Sequence, residues 1–254
     1  MTSFGSVFKV MSKDRFRTTS KVILAELAVI AVTLLWSVAT RGVSSGEFFG
    51  VTASWSGPAF LAVFILMSVA NEHVYTRDTY RLIPVGETKL YTTNLLSSFV
   101  MYLYFGIVQV VLYTITASID ADFIKGILDG ITGPEYTNLE AGKIVIGLLL
   151  MGLAMVILGW TTISLVHLVV SATNNFLPNV SRRAINVVLY VVVIYLVVRV
   201  AGFMLHEVNN LGGIMSTGGQ GQFILNIVGI LVIAVIEAVI NIFLLKKWVE
   251  TIPN

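Results

Sequence analysis

The chain has 254 residues, of which 56% are apolar and 12% charged, with no cysteine and a mean hydropathy of +0.89. Soluble domains carry about 25% charged residues, so a soluble fold of this length lacks the polar surface it needs, and the wealth of Val, Ile, Leu and Phe excludes disorder. The missing cysteines exclude disulfides, thiolate metal ligands and cysteine nucleophiles, and a net charge of +2 leaves no basic footprint for nucleic acid.

A bilayer core about 30 Å thick needs about 20 mostly apolar residues per helix. Six runs meet that length, at residues 22–39, 58–74, 95–118, 144–170, 184–205 and 223–245. They are continuous apolar runs, not short alternating ones, so the fold class is all-α, a polytopic membrane protein, and not a β-barrel.

Ahead of the first run, Phe4, Val7, Phe8 and Met11 recur at helical spacing and are followed by Lys13, Arg15, Arg17 and Lys21. Residues 1–21 thus read as an amphipathic helix lying on the inner surface, its basic residues near anionic headgroups. Ser37-Val38-Ala39 imitates a signal-peptide cleavage site, but the preceding run exceeds the usual h-region and reads as a retained span. Glu26, about 6 Å inside that span, reads as a carboxylate reaching headgroups or Lys21.

Residues 75–90 follow the second run. Helical spacing continues past the membrane, Pro84 disfavours helix at Ile83, Gly86 allows a tight reversal, and Glu87 suits the start of a new helix. The third run holds Gln109 midway, and the connection after it carries Asp120, Asp122, Asp129, Glu135 and Glu140, an acidic outer loop. In the fourth run Gly147, Gly152, Gly159, Ser164 and His167 suit close helix packing. Arg199 ends the fifth run and can snorkel outward.

The sixth run holds Glu237, about 13 Å from the inner boundary set by Lys246. Asn226, Glu237 and Asn241 lie 11 and 4 residues apart and share one helical face. Two readings stand: a polar seam lining a translocation path or subunit interface, which Gln109 could join, or a hydrogen bond that only locks helix to helix. The depths of Arg199 and Glu237 differ by about 10 Å, which makes direct pairing between them doubtful.

Basic residues set the orientation. With the N-terminus inside, Arg41, Lys125, Lys143 and Arg199 fall outside and the other 12 of the 16 basic residues fall inside. Both termini are therefore expected in the cytoplasm, with 1–254 forming one transmembrane domain.

The helical continuation of the second span through Tyr75, Arg77, Asp78, Tyr80 and Arg81, closing in Leu82-Ile83-Pro84-Val85 and the Thr88-Lys89 pair, resembles permeases of the type-2 ABC exporter family, which serve antimicrobial-peptide immunity and bacitracin-type resistance. One departure is Asn94, where the family often has a basic residue. The resemblance implies that Tyr75, Arg77, Asp78, Tyr80, Arg81, Leu82 and Pro84 form a coupling segment that seats on a separate ABC ATPase subunit. It also implies a second permease copy or a similar permease, a bacterial plasma membrane, and an amphipathic or hydrophobic substrate such as a peptide, lipid or drug. No cofactor is expected in this chain; ATP and Mg belong to the partner ATPase.

Catalytic signatures fail on inspection. His206-Glu207 has Asn210 where a zinc protease needs its second histidine, Gly219-Gln220-Gly221 follows no strand, and Gly142-Lys143 is followed by Ile144 rather than Ser or Thr. Three scattered histidines suit no metal cluster. The chain is therefore not expected to be an enzyme by itself. The alternative function is a stand-alone proton-coupled secondary transporter using Glu237.

Overall fold

The computed structural model describes residues 3–42, 44–76, 84–132, 138–176 and 220–247, together with 191, 195 and 202. All regular structure among them is helical: α1 (Phe4–Thr40), α2 (Glu47–Thr76), α3 (Glu87–Ile119), α4 (Ala121–Thr132), α5 (Asn138–Phe176) and α6 (Gln220–Lys247). All but α4 are long and apolar enough to cross a membrane, so the chain is a multi-pass helical membrane protein with five such helices among the described residues. The expected fifth span, 184–205, lies outside the described residues apart from Val191, Tyr195 and Gly202, each of them helical.

The helices outrun the expected spans. α1 runs 37 residues, about 55 Å, without a break at Lys21, so the separate surface helix expected for 1–21 is continuous with the first span. Ser3 caps its start by accepting the Ser6 N–H at 3.2 Å, and neither Gly nor Pro occurs between Ser6 and Arg41 to interrupt it. α2 begins at Glu47, 11 residues before the expected Pro58, which sits inside the helix. Proline removes one donor from the helical ladder, and membrane helices tolerate that where neighbours satisfy the freed carbonyl.

The chain groups into two compact units. One holds Thr2–Ala70 and Thr92–Asn138. In it α1 buries Val7, Met11, Arg15, Thr19, Ile23, Glu26 and Ile30, a stripe repeating every three or four residues. α3 buries Asn94, Ser97, Ser98, Met101, Phe105 and Gln109 on the same period. On α2, Phe60 meets Phe105 edge to face at 4.8 Å and Tyr102 at 5.9 Å, while Phe49 lies 5.7 Å from Tyr113.

Arg15 corrects the reading of the basic stretch. It is 3% exposed, and its guanidinium donates to the Asn94 carbonyl, the Asn94 side-chain oxygen and the Ser97 hydroxyl instead of reaching headgroups. Lys13, Arg17 and Lys21 are exposed, since their positions fall off the stripe. The acidic outer loop is also corrected in part: α4 occupies its first half. Phe123, Ile124, Ile127, Leu128 and Ile131 share one face of that helix by spacing, with Asp122, Lys125 and Asp129 between them. Asp120 is buried and accepts the Phe49 N–H at 2.8 Å in the first turn of α2, where a carboxylate satisfies an orphan donor. Gly46, at φ +82°, has the Phe123 ring against it; a Cβ there would lie 2.5 Å from the ring.

The other unit holds Asn71–Tyr91 and Leu139–Asn254. Its apolar core joins Met151, Ala154, Met155 and Leu158 of α5 to Phe223, Ile230 and Ala234 of α6. Phe223 presses on Gly147, where a Cβ would come within 2.7 Å of the ring. Gly152, grouped with Gly147 as a packing residue on sequence grounds, has open space beside it.

Candidate functional site

Below that apolar core the same two helix faces turn polar. On α6 the buried stripe runs Phe223, Ile230, Ala234, Asn241 and Leu245, and Glu237 falls on it between Ala234 and Asn241. On α5 the matching positions are Thr161, Ser164 and Leu168, three and four residues apart. A hydroxyl or carboxylate facing another helix inside a membrane needs a partner there, because no water or lipid group supplies one.

Three rungs result. The Thr161 hydroxyl lies 2.7 Å from Glu237 Oε2 and the Thr162 hydroxyl 2.9 Å from the same oxygen. Asn241, fully buried, donates through Nδ2 to the Thr161 carbonyl at 2.9 Å and to the Tyr91 hydroxyl at 3.0 Å. One turn further along α5, the Ser164 hydroxyl donates to Glu72 Oε1 at 2.7 Å, and His167 Nδ1 meets Glu72 Oε2 at 2.8 Å. The Tyr91 ring in turn stacks on Tyr75 at 5.4 Å and 14° between planes, and both rings are buried.

The seam thus ties four pieces of chain together: the last turn of α2, the first turn of α3, α5 and α6. Its chemistry is that of positioning. Ser164 and His167 both meet the Glu72 carboxylate, as Thr161 and Thr162 both meet that of Glu237, so each of these carboxylates of α2 and α6 is held by two side chains of α5. Among the described residues no three His, Asp or Glu side chains come together in a way that could hold a metal ion.

The expected site residues fall in different places. Glu237 and Asn241 lie in the seam, and Asn226 sits half-buried farther along α6. Gln109 belongs to the other unit, where its amide donates to Glu26 Oε2 at 2.6 Å. That contact also corrects Glu26, which is 5% exposed and turned onto α3 rather than toward headgroups or Lys21. Periodicity fixes which face a residue occupies, not which helix lies against it. Of the coupling segment, Tyr75 faces protein, with its ring 1% exposed, and Pro84 sits exposed in a bend. Arg77, Asp78, Tyr80, Arg81 and Leu82 lie outside the described residues, as does Arg199.

Sequence reasoning missed Glu72, Tyr91, Thr161 and Thr162, and it treated Ser164 and His167 as packing residues. The available signal was the Thr161–Ser164–Leu168 spacing on an otherwise apolar helix, with Glu72 the one carboxylate at the end of α2.

Compared with protein-family models, with curated proteins and with solved structures, the chain has no match.

Proposed function

We propose that this chain is the permease subunit of an ATP-driven ABC exporter, with six spans, both termini in the cytoplasm of a bacterium, and a second permease copy or a similar permease completing the transport core. A separate ATPase seats on the segment between Tyr75 and Pro84, and nucleotide-driven closure of the ATPases moves the spans to open a path outward. An amphipathic or hydrophobic substrate (a peptide, lipid or drug) suits walls as apolar as these.

The observation that carries the reading is how the ends of that segment are fastened. Tyr75 opens it, Tyr91 follows it in the first turns of α3, seven residues beyond Pro84, and their rings stack on each other. Tyr91 is bonded onward to Asn241 of α6, and Glu72, three residues before Tyr75, is bonded to Ser164 and His167 of α5. A push arriving at Tyr75 is therefore delivered to two membrane helices through hydrogen-bonded side chains. The Leu82-Ile83-Pro84-Val85 sequence and the distribution of basic residues support the same reading.

The test is affinity purification of the chain in mild detergent from its native host, followed by ATPase and transport assays. An ATPase that co-purifies and is lost with Arg77→Glu or Tyr80→Ala is the expected result. If no ATPase accompanies the chain and both variants transport normally, the exporter reading fails.

A further inference from the structure

The Glu26–Gln109 contact between α1 and α3 is incomplete as it stands. Gln109 Nε2 donates to Glu26 Oε2 at 2.6 Å, but Glu26 Oε1 and Gln109 Oε1 are both buried and have no hydrogen-bond partner among the described residues. Two acceptors in one pair are left without a donor, in a span where water does not supply one.

An ionised Glu26 makes this worse. A carboxylate offers four lone-pair sites, and here it receives one hydrogen bond. Nor do the described residues of α1, α2 and α3 offer a cation to pair with it. On α1 the only charged residue between Lys21 and Arg41 is Glu26 itself; Lys21 is exposed, and Arg15, about 16 Å back along the axis, is engaged by Asn94 and Ser97. α3 carries no Lys, Arg, His, Asp or Glu between Lys89 and Asp120, and α2 none between Glu47 and Glu72. The other titratable groups on those stretches are the phenols of Tyr91, Tyr102, Tyr104 and Tyr113, which supply no positive charge. A buried, unpaired charge with one donor is among the costliest arrangements a membrane helix can hold.

One hydrogen resolves all of it. We infer that Glu26 is a proton-binding site, occupied at neutral pH, in which Glu26 Oε1–H donates to Gln109 Oε1 while Gln109 Nε2–H donates to Glu26 Oε2. Each oxygen sits on the same planar carbon as the atom already bonded, and rotation about the soft terminal torsions brings the two groups face to face as an acid–amide ring. The protonated acid gains a donor, Gln109 gains a partner for its carbonyl, and α1 is fastened to α3 with no net charge in the span. The site is independent of the permease reading, since neither residue belongs to the segment that meets the ATPase.

Infrared spectra of the full chain in phospholipid vesicles at neutral pH test this, comparing wild type with Glu26→Gln. The expected difference is loss of one carboxylic-acid C=O stretch with the carboxylate stretches unchanged. Loss of the carboxylate pair instead overturns the inference. Should Glu26→Gln fail to insert, Gln109→Leu serves: removing the amide moves the same acid band to higher frequency, and an acid region identical to wild type counts against the site.

Discussion

Asn241 offers the sharpest test of the seam. Its side chain is fully buried and makes two hydrogen bonds, to the Tyr91 hydroxyl at 3.0 Å and to the Thr161 carbonyl at 2.9 Å. Asn241→Leu keeps the number and branching of the side-chain heavy atoms, so no cavity is left and the lost bonds set the minimum cost. Hydrogen bonds between helices in a membrane average about 0.6 kcal/mol and reach about 1.7, so losing two lowers unfolding free energy by about 1–3 kcal/mol. The assay is reversible unfolding in mixed micelles, arranged as two double-mutant cycles. Asn241→Leu with Tyr91→Phe removes the same bond twice, and the pair is expected to couple by about 0.6 kcal/mol or more. Asn241→Leu with Thr161→Val, whose side chains do not bond each other, is expected to couple less than the first pair. The reason is that Asn241 bonds the Thr161 backbone carbonyl, which valine keeps, while the hydroxyl serves Glu237. Additivity in the first cycle, or strong coupling in the second, refutes this assignment of partners.

The other expectations follow from single contacts. Arg15→Ala strips three hydrogen bonds from a charged donor and is expected to cost at least about 2 kcal/mol in the same unfolding assay. Arg15→Lys is expected not to restore it, because two guanidinium nitrogens grip Asn94 at once and an ammonium has no such fork. Gly147→Val drives its side chain into the Phe223 ring and is expected to lower stability by about 1–3 kcal/mol, whereas Gly152→Ala meets open space and is expected to be neutral or to gain up to about 1 kcal/mol in helix propensity. Glu237→Gln keeps an acceptor for the Thr161 and Thr162 hydroxyls, so folding is expected to persist. Its transport is expected to keep the wild-type pH profile under the exporter reading. A shifted profile in vesicles favours proton coupling through Glu237 instead.

What the sequence makes legible here depends on whether a property belongs to one helix or to two. Apolar length belongs to one, and the runs at 22–39, 58–74, 95–118, 144–170 and 223–245 each fall inside an observed helix. Helical faces also belong to one, which is why the spacing of Glu237 and Asn241 places both on the protein side of α6. The same arithmetic, applied without regard to charge, puts Arg15 on the stripe of Val7, Met11, Thr19 and Ile23; reading it as a headgroup contact let residue type override period. α4 was hidden likewise, its five apolar positions masked by the acidic residues around them. Partnership belongs to two helices and is not written in either. Nothing in the run around Gln109 distinguishes Glu26 of α1 from Glu237 of α6 as its acceptor, since both are single carboxylates in apolar spans. The choice is made by which helices pack together, and that is settled by the shape of many apolar contacts, such as Phe60 on Phe105 in one unit and Phe223 on Gly147 in the other. The polar groups are then paired with whatever those contacts bring within reach. Substitutions at the apolar contacts should therefore disturb the polar pairs they set, and Gly147→Val is the variant in which loss of the Glu237 and Asn241 bonds is to be looked for.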